Sequence, residues 1–168
     1  ITGGGTLTVN QTVHTEFQGI ISGTTGLTMG GTGTLILNNT TGTATSNSGA
    51  TTVNAGTIQF GDGDGNNDTG TITQGDLTIN NGGTVSVQTD QFNGFNTGAT
   101  ITINEGGVLS ADSSSDNGFN IGALVLNGGT LTSVNGVGGP ANDGGFGNWL
   151  FNNTVTVGGT AASTINST

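Results

Sequence analysis

Leu77-Thr78-Ile79-Asn80-Asn81-Gly82-Gly83-Thr84-Val85-Ser86-Val87 is repeated in kind by Ile101-Thr102-Ile103-Asn104-Glu105-Gly106-Gly107-Val108-Leu109-Ser110-Ala111. Each copy holds two short stretches in which apolar and polar residues alternate, the period of a strand with one buried face. An Asn-x-Gly-Gly bend joins them, and Asn and Gly are the residues that tolerate left-handed backbone at a corner. The copies resemble rather than complement each other, so they stack in parallel more readily than they pair as hairpins.

Outward from this pair, a Gly followed by a short strand recurs at Gly5-Thr6-Leu7, Gly33-Thr34-Leu35, Gly56-Thr57-Ile58, Gly83-Thr84-Val85, Gly107-Val108-Leu109, Gly129-Thr130-Leu131 and Gly159-Thr160-Ala161. The spacings are 28, 23, 27, 24, 22 and 30. With one coil per unit, the reading is an all-β fold, a right-handed parallel β-helix (β-solenoid) of about six to seven coils. At about 4.8 Å per coil it forms a rod on the order of 30 Å long. A β-sandwich with Gly-rich turns is the alternative. Residues 1–168 read as a single solenoid domain. Because the chain opens at Ile1 and neither end looks capped, it is expected to be a segment or repeat unit of a longer or self-assembling extracellular protein.

Composition narrows the function. The 168 residues include 35 Gly and 1 Pro, with only 30% apolar residues, a balance that suggests disorder. The regular spacing of β-branched and Leu residues argues for order instead. Lys and Arg are absent against ten acidic residues, so nothing can neutralise a nucleic-acid backbone or an anionic membrane surface. No run is long enough to span a bilayer as a helix. Cys is absent too, which removes disulfides and thiolate metal sites. Trypsin-like proteases find no cleavage site within the chain.

Stacked coils place equivalent residues in columns. Asn54, Asn80, Asn104 and Asn127 sit at equivalent bends, where each amide can hydrogen-bond the next as an asparagine ladder; alternatively Asn serves there as a turn residue alone. Gly94-Phe95-Asn96-Thr97-Gly98-Ala99 and Gly118-Phe119-Asn120-Ile121-Gly122-Ala123 suggest an aromatic stack of Phe95 and Phe119, which Phe146, Trp149 and Phe151 could extend. Core filling is the plain role of such a stack. An exposed Trp149 would be a sugar-binding platform, with host or matrix glycans as partners.

The run Asp62-Gly63-Asp64-Gly65-Asn66-Asn67-Asp68 offers oxygen donors at alternate positions, Asp62, Asp64, Asn66 and Asp68, as in the first half of a calcium loop. The turn Gly of that pattern falls at Asn67 and the closing Glu at Thr73, so the match is half complete. A solvated turn is the alternative. Asp62, Asp90 and Asp112 follow successive repeat glycines by 6, 7 and 5 residues, and stacked carboxylates repel, which gives calcium a second reason to bind. No cofactor is otherwise called for.

The segment Phe17-Gln18-Gly19-Ile20-Ile21-Ser22-Gly23-Thr24-Thr25-Gly26-Leu27-Thr28-Met29-Gly30-Gly31-Thr32-Gly33-Thr34-Leu35-Ile36-Leu37, continued by Ala50-Thr51-Thr52-Val53-Asn54-Ala55-Gly56-Thr57-Ile58, resembles the autotransporter-associated β-strand repeat. Met29 stands where that family usually has Lys, and Thr43-Ala44-Thr45-Ser46-Asn47-Ser48-Gly49 replaces its N-T-Y-T-G segment. The resemblance implies a right-handed β-helix in a large bacterial surface or secreted protein, and no reaction.

Catalysis finds little support. A uronate lyase wants Arg or Lys, and a glycosidase wants two opposed carboxylates, whereas the acids here lie mostly in Gly- and Asn-rich loops. His14, the one histidine, has no nucleophile arrangement around it. The expected role is an extracellular structural or adhesive rod without catalytic activity, capable of end-to-end self-association into a fibre. A carbohydrate-binding module centred on Trp149 is the second reading, and a polysaccharide-acting enzyme the third.

Overall fold

The computed structural model describes residues 1–38, 46–61, 73–88, 95–111, 119–133 and 149–167. In chain order the strands are β1 (Thr2–Val9), β2 (His14–Phe17), β3 (Ser22–Met29), β4 (Thr34–Leu37), β5 (Ser46–Asn47) and β6 (Thr51–Val53). They continue with β7 (Gly56–Phe60), β8 (Leu77–Ile79), β9 (Gly83–Val87), β10 (Thr100–Asn104), β11 (Val108–Ala111) and β12 (Phe119–Ile121). The last are β13 (Ala123–Asn127), β14 (Thr130–Ser133), β15 (Trp149–Phe151), β16 (Val155–Gly158) and β17 (Thr164–Ser167). No helix occurs among the described residues.

Successive strands do not pair with each other. One sheet runs β1-β3-β6-β8-β10-β13-β16, with the short β5 beside β3, and a second runs β2-β4-β7-β9-β11-β14-β17. Every pairing within them is parallel. Chain that alternates between two parallel sheets and advances one strand each time is a solenoid, so the all-β parallel β-helix read from the repeat is the fold. A parallel pair, β12 with β15, adds a third side.

Register makes the core a set of columns. In the first sheet Leu7, Leu27, Thr51, Leu77, Ile101, Leu124 and Val155 align, as do Val9, Met29, Val53, Ile79, Ile103, Leu126 and Val157. In the second sheet Leu35, Ile58, Val85, Leu109, Leu131 and Ile165 form one column, and Leu37, Phe60, Val87, Ala111 and Ser133 another. From Leu27 to Leu131 these side chains are buried, while Val155, Val157 and Ile165 on the last rung are exposed. They continue the same columns, and among the described residues no rung lies over them.

The corner before the second sheet depends on glycine. Gly56 has φ +65°, and a Cβ there would lie 2.4 Å from the carbonyl oxygens of both Gly31 and Gly33, so backbone from the previous coil fills the space any side chain would need. Two of the seven Gly-led units are placed differently from the sequence reading. Gly5 lies inside β1, opposite Thr25, and belongs to the first sheet. Gly159 falls in the bend after β16, and the strand that completes the second sheet is Thr164–Ser167. Both units contain the motif, but only register with the neighbouring coil decides which sheet a three-residue strand joins.

Candidate functional site

The bend after the first sheet carries the asparagines. Asn80 Nδ2 donates to Asn54 Oδ1 at 2.8 Å, Asn104 Nδ2 to Asn80 Oδ1 at 2.7 Å, and Asn127 Nδ2 to Asn104 Oδ1 at 3.2 Å. Asn80 and Asn104 each give to the coil before and accept from the coil after, while Asn54 begins the run as an acceptor and Asn127 ends it as a donor. The position extends beyond these four: Asn10 follows Val9, Gly30 follows Met29 and Gly158 follows Val157 in the aligned column. A Cβ on Gly158 would lie 3.2 Å from Asn127 Oδ1, so the run of amides stops where glycine removes the side chain. A separate rung joins Asn152 Nδ2 to Asn120 Oδ1 at 2.7 Å.

Phe95, Phe119 and Trp149 meet on the third side. Trp149 lies opposite Phe119 in the parallel register, with ring centroids 5.4 Å apart, and stacks at 6.4 Å on Phe95. The Phe95 N–H donates to the Asn120 carbonyl, which places its backbone nearer Ile121 than Phe119, two residues from the alignment that sequence similarity suggests. The second-sheet column shrinks from Phe60 through Val87 to Ala111 and Ser133, and Phe95, Phe119 and Trp149 add bulk to the same core. The Trp149 indole N–H donates to the Thr132 carbonyl at 2.9 Å, so its polar edge is engaged within the protein and its face covers the core. Phe151 is exposed; Phe146 lies outside the described residues.

The calcium-loop residues Asp62, Asp64, Asn66 and Asp68, with Asp90 and Asp112, lie outside the described residues. Thr73, at the position of the missing closing Glu, is buried and accepts hydrogen bonds from the Gly75 N–H and Asn47 Nδ2. Among the described residues no group of three His, Cys, Asp or Glu could hold a metal. Glu16 Oε1 accepts from Gln18 Nε2 and Asn38 Nδ2. Asp76 Oδ1 accepts from the Thr100 N–H at 2.8 Å. Glu105 is exposed in the bend between β10 and β11. His14 is exposed on β2 beside Thr34.

Sequence reading passed over the outward columns. On the first sheet Thr8, Thr28, Thr52, Thr78, Thr102, Val125 and Thr156 align. On the second sheet Thr34, Thr57, Thr84, Val108, Thr130 and Thr164 align. The signal was present as the polar member of each alternation. It becomes visible as a surface feature only once the strands are set in register. Comparison of the chain with protein-family models, with curated proteins and with solved structures found no match.

Proposed function

We propose that this chain is a non-catalytic structural and adhesive rod of a secreted or cell-surface protein, built like the autotransporter-associated repeats it resembles over Phe17 to Ile58. The observation that carries this reading is the uniformity of the columns. From β3 to β14 the inward positions keep apolar or small residues with Thr51 as the exception, and the outward positions are mostly Thr, Ser and Asn, interrupted by Ile36, Gln59, Val108 and Val125. Convergent chemistry needs unlike groups brought to one point, and a stack of like coils spreads like groups along a line instead. A surface of repeated, like residues suits mechanical or adhesive work.

The exposed Val155, Val157 and Ile165 offer an apolar end face to a second copy placed end to end. Unpaired strand edges favour such stacking. Calcium held by Asp62, Asp64, Asn66 and Asp68 would relieve the repulsion of a chain with net charge −10 and no basic side chain. The carbohydrate-binding reading centred on Trp149 has less behind it, since packing and the Thr132 carbonyl already use both parts of the indole.

Antibodies raised against the folded chain test the location. On intact cells of the source organism, or in their culture medium, they should find the protein without permeabilisation. Detection only after permeabilisation would place it inside the cell and end this reading.

A further inference from the structure

Thr accounts for 33 of 168 residues, yet it fills six of the seven rungs in the outward column of the first sheet, five of them consecutive: Thr8, Thr28, Thr52, Thr78 and Thr102. Composition alone does not place one residue type so regularly. Strand pairing sets these side chains about 4.8 Å apart along the rod. Their β-branched side chains are stiff at χ1, so each rung offers a methyl and a hydroxyl at nearly fixed positions. Among the described residues no protein group hydrogen-bonds the Oγ1 of Thr28, Thr52, Thr78 or Thr102. Parallel ladders on both sides of the column and the Asn54-Asn80-Asn104-Asn127 amides beside it hold the backbone in place.

We propose that this threonine face binds an ordered lattice of water, the surface of ice. A rigid row of hydroxyls and methyls repeating at about the strand spacing lies close to the repeat of water molecules along the surface of hexagonal ice. Hydroxyls can replace lattice water, and the methyls between them favour a cage of ordered water over bulk solvent. Charge disrupts such order by orienting water around itself. The first-sheet strands contain no charged residue; Asp76, just before β8, has one carboxylate oxygen engaged by the Thr100 N–H. The second sheet is the poorer face, with His14 and Glu16 on its first strand and Ile36 and Gln59 beside its threonines. The inference rests on register and spacing, not on the proposed surface role, and that role survives its failure.

The test is ice growth in the presence of the purified 168-residue chain, read as thermal hysteresis and as inhibition of recrystallisation. The intact chain should hold a freezing gap and keep ice grains small. Thr52→Lys with Thr78→Lys should abolish both, while Thr57→Lys with Thr84→Lys on the opposite sheet should leave them within about twofold. All four positions are half-exposed on the outside of the rod, and circular dichroism would establish that each variant is folded. Should the Lys pair fail to fold, Thr52→Ser with Thr78→Ser removes two methyls without adding charge and should reduce the hysteresis several-fold. No effect of the intact chain on ice, or equal loss from substitutions on either sheet, would overturn the proposal.

Discussion

Asn104 donates its side-chain amide to Asn80 at 2.7 Å, and Asn80 passes the pattern on to Asn54 at 2.8 Å. The bends of three successive coils are thereby tied by side chains as well as by backbone. Asn80→Ala removes a donor to one neighbour and an acceptor from the other. At about 0.5–1.5 kcal/mol for each hydrogen bond, and with the lower end appropriate at a half-exposed site, the expected loss is about 1 kcal/mol in urea unfolding. Gly158→Asn provides the converse: its amide can reach Asn127 Oδ1 and lengthen the run. It should be more stable than Gly158→Ala, whose Cβ meets Asn127 Oδ1 at 3.2 Å with no hydrogen bond in return. Equal midpoints for the two Gly158 variants would show that the extra amide is not recruited.

Thr51 occupies an inward position between Leu27 and Leu77. It is 1% exposed, and its hydroxyl has no hydrogen-bond partner. Val has the same shape without the polar atom. Thr51→Val should raise stability by about 1 kcal/mol, since an unsatisfied buried hydroxyl costs on the order of 1–3 kcal/mol. Thr51→Ser retains the hydroxyl and opens a small void, so it should destabilise. A loss of stability in the Val variant would mean that the hydroxyl is satisfied in solution.

A chain of net charge −10 without Lys or Arg resists compaction by self-repulsion, so its melting temperature should rise with ionic strength. If Asp62, Asp64, Asn66 and Asp68 bind calcium, millimolar calcium should raise the midpoint by several degrees beyond sodium chloride of matched ionic strength, and chelator should reverse the difference. Equal midpoints in the two salts would leave screening as the whole effect and remove calcium from the account.

Much of this architecture is legible in the sequence. Leu77 to Val87 and Ile101 to Ala111 announce two alternating strands and a corner, and the structure places their equivalents side by side. The ends were harder. Gly5-Thr6-Leu7 and Gly159-Thr160-Ala161 carry the same local signal as their counterparts, but pairing with the neighbouring coil assigns one to the other sheet and the other to a bend. The offset of Phe95 from Phe119 has a related reason, since pairing with the neighbouring coil sets it and leaves no mark in local sequence. The threonine face was hidden differently. Each Thr is an ordinary strand residue, and only the stack turns it into an array.

Interchangeable coils are the claim on which the rest depends, and deletion of one tests it most directly. Ile79 and Ile103 are register partners, so removing Asn80 to Ile103 joins Ile79 to Asn104 and preserves every column with one rung fewer. Removing only Asn80 to Gln88 takes β9 from the second sheet and leaves the first sheet complete, so β7 and β11 lose the strand that joins them. The measurement is urea unfolding followed by far-UV circular dichroism, with rod length from small-angle scattering. The whole-coil deletion is expected to keep a β spectrum and cooperative unfolding in a rod about 4.8 Å shorter, while the part-coil deletion loses cooperativity. Equal collapse of both variants would contradict the account.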